Sequence, residues 1–218
     1  MIDCVFLIPL TPLARVDEQR AMLQRGMLAA LMGQANPNWI ALLDGRLAVD
    51  NPDPERIIVA GEDEGVKVEK MERLWQRALT VRPKPLLATK LDDDDRMEPE
   101  ALDVATQYAR KGFDLIAEDY IWGEDVLTGQ AYRKLRRPLA NNTCFHRFTK
   151  AAEPVEDGRP RILYTHSIYH DLYARAQTYY HPRRLYTRML SPGCVSVSGW
   201  DEEKGVDYDD YLRGWEKP

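Results

Sequence analysis

Leu86-Leu87-Ala88-Thr89-Lys90-Leu91-Asp92-Asp93-Asp94-Asp95 is the stretch whose reading decides the fold. Its first six residues are largely apolar and suit a buried β-strand. The four carboxylates after them repel one another, and such a run ordinarily sits on a solvated loop or helix face. Here it arrives where the strand ends, so the strand delivers the carboxylates together at its tip. The run reads either as a solvated charge cluster before the next helix or as the surroundings of a hard divalent cation. Mg²⁺, Mn²⁺ and Ca²⁺ take carboxylate oxygens, and Mg²⁺ usually shares its shell with phosphates.

Working outward, residues 2–10 form a second apolar run suited to a buried strand, ended by Pro9 and Pro12. Asp17 is placed to cap a helix over 18–32, with Gly33 as its stop and Met27, Leu28, Leu31 and Met32 as its apolar positions. Asn36-Pro37-Asn38 is a turn, residues 39–43 read as a strand ending at Asp44-Gly45, and residues 57–60 as another. Met71, Leu74, Trp75, Ala78 and Leu79 fall on one face of a helix. Beyond the aspartates, Pro99 suits a first helical turn. A helix through Leu102, Ala105 and Ala109 would stop at Gly112, and residues 114–118 suit a strand. Alternating strands and helices predict an α/β layer with a mainly parallel sheet. Ligands bind beyond the carboxyl ends of such strands, where Pro9, Asp44 and the four aspartates fall.

The 218-residue chain is long enough for one domain with a good core, and its net charge of −5 is unevenly spread. Residues 1–132 carry 15 Lys/Arg against 24 Asp/Glu, a balance of −9; residues 133–188 carry 12 against 4, or +8. Residues 189–218 carry 3 against 7, or −4. All four histidines lie in the basic segment, with Tyr164, Tyr169, Tyr173, Tyr179, Tyr180 and Tyr186 among them. Such a stretch binds phosphates, sugars or nucleic acid, or is a polar face balancing the acidic half. Cys4, Cys144 and Cys194 have neither zinc spacing nor the pairing of a disulfide framework, so reduced thiols in a cytoplasmic protein are expected. The apolar run from Val5 to Leu13 is short and broken by two prolines, and reads as neither signal peptide nor membrane span. The sequence has no G-x-x-x-x-G-K-[ST], G-x-G-x-x-G or G-x-S-x-G pattern. Phosphate would then be held by the cation and by basic side chains, which suits a nucleoside diphosphate.

Four segments carry a family resemblance. Leu28-Ala29-Ala30-Leu31-Met32-Gly33-Gln34-Ala35-Asn36-Pro37-Asn38-Trp39 resembles the helix, Gln, turn, Trp, strand segment of nucleotide-sugar glycosyltransferases with the A-type (GT-A) fold. Thr89-Lys90-Leu91-Asp92-Asp93-Asp94-Asp95 is similar to their D-x-D segment, nearest to the T-R-L-D-x-D-D form of rhamnosyltransferase-like proteins, with Lys90 in place of Arg. Gly199-Trp200-Asp201-Glu202 resembles the G-F-D-E step of the large inverting family 2. Asp207-Tyr208-Asp209, with Arg213 beyond, is similar to that family's E-D-x-D-x-x-x-R element, although Val206 stands where the Glu would be. Residues 113–190 carry no matching motif.

The resemblance implies a GT-A-like fold, a mainly parallel sheet flanked by helices with a basic Tyr/His-rich C-terminal half. It implies one domain over 1–218, with 1–112 as the nucleotide-binding half and 113–218 as the acceptor side. The implied activity is metal-dependent inverting glycosyl transfer, hexosyltransferase-like, from a nucleotide-diphosphate sugar to an acceptor hydroxyl. Asp92 and Asp94 would hold the ribose and a Mn²⁺ or Mg²⁺ that bridges the diphosphate as a Lewis acid, with Asp95 adding to the shell and Asp93 pointing away. Pro9 and Asp44 would pack on or hydrogen-bond the base, although Asp44 also reads as a plain Asp-Gly turn. Lys90, Arg183, Arg184 and Arg188 would neutralise the diphosphate, or the arginines would simply lie along the surface.

Inverting transfer needs a base for the acceptor hydroxyl, and a carboxylate suits that task. Asp207 matches best and Asp201 and Asp209 are rivals; the other reading is a solvated acidic C-terminal stretch. His166, His170 or His181 would supply a third metal ligand, unless they are structural. A saccharide is the default acceptor, while the +8 segment permits a polyanion, including a hydroxylated base in DNA reached by extrusion. Two alternatives stand beside this reading: a non-catalytic nucleic-acid or polyanion-binding module, and a metal-dependent nucleotidyltransferase.

Overall fold

The computed structural model describes residues 1–135, 144–155, 158–163, 176–191 and 216–218. The chain begins with β1 (Cys4–Pro9), α1 (Glu18–Met32), β2 (Trp39–Asp44), β3 (Ile57–Val59), α2 (Lys67–Thr80) and β4 (Leu87–Lys90). It continues with β5 (Arg96–Met97), α3 (Ala101–Arg110), β6 (Leu115–Glu118), β7 (Tyr120–Asp125) and β8 (Ala131–Leu135). Then come β9 (Phe145–Arg147), the short α4 (Phe148–Ala151), β10 (Thr178–His181) and β11 (Tyr186–Leu190). Seven strands form the main sheet in the order β10-β6-β9-β4-β1-β2-β3. Every pairing in it is parallel except those of β9, which runs antiparallel between β4 and β6. The result is the expected α/β layer, a mainly parallel sheet flanked by helices.

The first apolar run has a direct physical reason. All six residues of β1 are buried, because the strand is covered on both faces. Cys4, Phe6 and Ile8 face one core with Met27, Leu28 and Leu31 of α1 and Leu102, Ala105 and Ala109 of α3. Val5 and Leu7 face the other, with Met71, Leu74, Trp75 and Ala78 of α2. Each fully buried Leu or Ile in these layers contributes roughly 1.5–3 kcal/mol. Asp17 caps α1 as expected, accepting Arg20 N–H at 2.7 Å. Pro99 stands two residues before α3 rather than inside its first turn, and Gly112 follows that helix at φ +105°.

Register places the site. Pro9 is level with Asp44, and Leu7 with Lys90, so β1, β2 and β4 end on one edge of the sheet. The four aspartates turn there, with Asp95 N–H on the Asp92 carbonyl at 3.2 Å. The chain then enters β5, the edge of a second sheet in the order β5-β11-β7-β8. That sheet brings Tyr186 beside Met97 and joins the core through Met97, Leu185 and Tyr186. No described helix is long and apolar enough to cross a membrane.

Candidate functional site

The aspartates are not a solvated cluster: Asp93, Asp94 and Asp95 are exposed by only 1%, 8% and 2%. Their environments differ sharply. Asp93 accepts hydrogen bonds from Thr11 N–H at 2.9 Å, Thr11 Oγ1 at 3.2 Å and Gln24 Nε2 at 2.8 Å, and pairs with Arg20. These contacts tie the β4 tip to the end of β1 and to α1. Asp94 pairs with the other arm of the same guanidinium, Arg20 Nη1, at 2.6 Å. Asp92 pairs with Lys67 Nζ at 2.6 Å. Asp95, expected to help with a cation, accepts from the Tyr186 hydroxyl and from Met189 N–H. Burial, and then the neighbouring Asp94, push its carboxyl up to about 8, so it keeps its proton at neutral pH.

Asp92 and Asp94, one residue apart, retain side-chain exposures of 13% and 11%. Hard carboxylate oxygens of this kind suit Mg²⁺ or Mn²⁺ when diphosphate oxygens complete the shell. Among the described residues, no three His, Cys, Asp or Glu side chains gather into a metal-holding group. Asp92 and Asp94 are the residues that could hold such a cation, and each would have to exchange a present partner, Lys67 for Asp92 and Arg20 for Asp94.

The base-side candidates lie at the same edge. Pro9 and Asp44 are buried and adjacent in register. Asp44 is fully buried and held by a bidentate pair from Arg73, Nε at 2.9 Å and Nη2 at 2.8 Å. Gly61, at φ +118°, lies so close that a Cβ would stand 2.7 Å from Asp44 Oδ1. Lys70, buried in α2, donates to the Leu10 carbonyl at 2.9 Å and steadies the end of β1.

Basic groups surround the aspartates. Lys90 is buried, and its ammonium is pushed down to about 7, first by burial and then by Lys67. Arg188 lies close enough to favour the ionised forms of Asp95 and Tyr186. Arg183 is exposed, and Arg184 pairs with Glu98 at 2.7 Å. His181 closes β10, three strand positions from β4, about 14 Å across the sheet. Asp201, Asp207, Asp209, Arg213, His166 and His170 lie outside the described residues. Arg20, Lys67, Arg73, Gln24, Thr11 and Tyr186 all touch the site residues, and sequence reasoning did not single them out for it. Their partners are 25 to 91 positions away, so no local pattern signals them.

Much of the basic segment is engaged internally. Arg147 faces Asp114, Arg161 and Lys150 pair with Glu153, and Arg133 lies 4.0 Å from Glu216. Tyr179 stacks on Tyr108 with centroids 3.4 Å apart, and Tyr186 is buried against Asp95. For these residues the balance of acid and base within the fold accounts for the composition.

No family model matches the sequence, and no curated protein matches it. Solved structures do match the fold. S. aureus TarS 1–349 superposes with a TM-score of 0.57 at 12% identity, covering 90% of this chain and 63% of that one. The same TarS segment in complex with UDP-GlcNAc gives 0.57 at 11% identity, covering 87% and 58%. Its complex with UDP gives 0.55 at 10%, covering 88% and 61%. The chain thus spans less than two thirds of the length of those structures. TarS is a glycosyltransferase, and the class of fold here is GT-A-like.

Proposed function

We propose that the chain is a metal-dependent inverting glycosyltransferase that takes a nucleotide-diphosphate sugar, of the UDP-hexose or UDP-GlcNAc kind, as donor. One observation carries the reading: Asp44 ends β2 and the Asp92/Asp94 pair follows β4, the two parallel neighbours of β1, on one edge of a GT-A-like sheet. That is where an α/β sheet binds ligands. The base would lie against Pro9 and Asp44, and the diphosphate between Asp92, Asp94 and the cations Lys67, Lys90 and Arg188. TarS, with the same fold, is a structure solved with UDP and with UDP-GlcNAc.

Bound Mn²⁺ or Mg²⁺ would supply Lewis-acid stabilisation of the leaving diphosphate at Asp92 and Asp94. The protein's own groups do the rest. Lys67, Lys90 and Arg188 offset charge as the bond between the anomeric carbon and the diphosphate oxygen breaks. A carboxylate, Asp207 with Asp201 and Asp209 as rivals, removes the acceptor proton as that hydroxyl attacks the opposite face. The acceptor is a saccharide hydroxyl, with a hydroxylated base in DNA as the second candidate; steep salt dependence of acceptor affinity distinguishes the second.

Calorimetric titration of UDP with Mn²⁺, against wild type and Asp92→Asn, tests the donor site. Metal-dependent binding that the substitution weakens by about tenfold or more is expected. Binding indifferent to both metal and substitution removes the proposal. With a sugar donor, release of the nucleoside diphosphate marks glycosyl transfer, and release of pyrophosphate marks nucleotidyl transfer instead.

A further inference from the structure

Asp92 and Asp94 each hold a cation of the chain itself, and the two cations are not alike. Lys67 Nζ lies 2.6 Å from Asp92 Oδ1, and Arg20 Nη1 lies 2.6 Å from Asp94 Oδ2. The Arg20 side chain is exposed by 12%, its other arm grips Asp93, and its backbone N–H is held by the Asp17 cap. A planar fork spread over two carboxylates is fixed in place, and it keeps Asp93 when Asp94 is drawn elsewhere. Lys67 is 55% exposed and meets Asp92 through an ammonium at the end of a flexible stem. Such an exposed pair contributes little, so Lys67 is the partner that exchanges readily.

The root of that stem does not move with it. Lys67 opens α2, whose first turns are pinned by Lys70 on the Leu10 carbonyl at 2.9 Å and by Met71 and Leu74 in the core. Only the side chain is free to swing. Its ammonium interacts with Asp94 as well as with Asp92. It therefore offsets charge on both carboxylates, the charge that a divalent cation would need, and repels a cation that approaches them. A diphosphate reverses this balance, because its oxygens can accept from Lys67 and complete the shell of a cation at the same time.

We propose that Lys67 is a positioning residue that couples the cation to the nucleotide. It holds Asp92 and keeps a divalent cation from settling on Asp92 and Asp94 until a nucleoside diphosphate enters, and then passes to the diphosphate. The proposal rests on the donor reading above. The test uses wild type, Lys67→Gln, Lys67→Arg and the double variant Lys67→Gln/Asp92→Asn. Mn²⁺ alone is titrated by its paramagnetic resonance signal, and UDP in saturating Mn²⁺ by calorimetry. Lys67→Gln should bind Mn²⁺ alone about tenfold more tightly than wild type, and bind UDP several-fold more weakly. Lys67→Arg should return both affinities toward wild type, and the double variant should lose the gain for Mn²⁺. Loss of fold cannot strengthen one ligand while weakening the other, so the opposite signs separate coupling from damage. Three results each overturn the coupling: either affinity unchanged in Lys67→Gln, a Mn²⁺ gain that survives in the double variant, or wild type holding Mn²⁺ as tightly without UDP as with it. If UDP and Mn²⁺ still bind together, those results leave the donor reading standing. UDP that binds none of the proteins, with or without Mn²⁺, removes the donor reading and the coupling with it.

Discussion

Asp93→Asn should be the most damaging single change in the acidic run, although Asp93, like Asp95, is not assigned to ligand. Its carboxylate is exposed by 1% and satisfies four donor contacts, from Thr11 N–H, Thr11 Oγ1, Gln24 Nε2 and Arg20. An amide of the same shape keeps one acceptor oxygen; even with its NH₂ on the Oδ1 side, where the Thr11 hydroxyl can accept from it, the ion pair with Arg20 is lost. Each buried donor left unpaired costs about 1–3 kcal/mol, and breaking a buried ion pair costs about 3–5 kcal/mol. These costs overlap, since Arg20 keeps Asp94, and together they come to about 4 kcal/mol. For a chain of this length that is a fall in Tm of roughly 8–16 °C. Asp92→Asn is the contrast: Lys67 is 55% exposed, so its pair with Asp92 contributes at most about 1 kcal/mol. Urea unfolding and scanning calorimetry on both variants measure the difference. An Asp93→Asn protein within about 1 kcal/mol of wild type, or less damaged than Asp92→Asn, would refute the reasoning.

Asp95 carries a pH signature. Its carboxyl is raised from 3.8 to about 8, so between those values the folded state holds a proton that the unfolded state has released. Its stabilising contribution is whole below about pH 4 and is lost as pH rises through about 8, by at most about 1.4 kcal/mol per pH unit. Asp95→Asn cannot titrate, so wild type should lose stability relative to it between pH 5 and 8; parallel unfolding curves would sink the assignment. Gly61→Ala combines a left-handed φ with a Cβ 2.7 Å from Asp44 Oδ1, whereas Gly129→Ala, at φ +68°, meets nothing within 4 Å. The first should destabilise by about 1–2 kcal/mol more than the second and displace the Asp44 carboxylate. Equal melting curves for the two would show that the contact with Asp44 is not constraining.

Legibility in the sequence follows the range of the interactions. The runs that became β1 and β4 are apolar because both faces of those strands are covered, and that demand is written into every position. Asp17 announces α1, and the spacing of Met71, Leu74, Trp75 and Ala78 announces α2, because capping and helical faces are local. β9 had no such signal: it is three residues long, and its place between β4 and β6 comes only from pairing with distant strands. The second sheet was hidden for the same reason, since β11 meets β5 across about ninety residues of chain.

The sequence by itself therefore determined the α/β layer and the delivery of Asp44 and four aspartates to strand ends, because hydrophobic periodicity and strand termination are local. It could not divide the labour among those aspartates. Only the tertiary structure set Asp93 against Thr11, Gln24 and Arg20, gave Asp95 to Tyr186 and Met189, and paired Asp92 with Lys67 and Asp94 with Arg20. A carboxylate's role is fixed by its partners and its burial, and here those partners come from α1, α2 and β11, which only folding brings to the tip of β4.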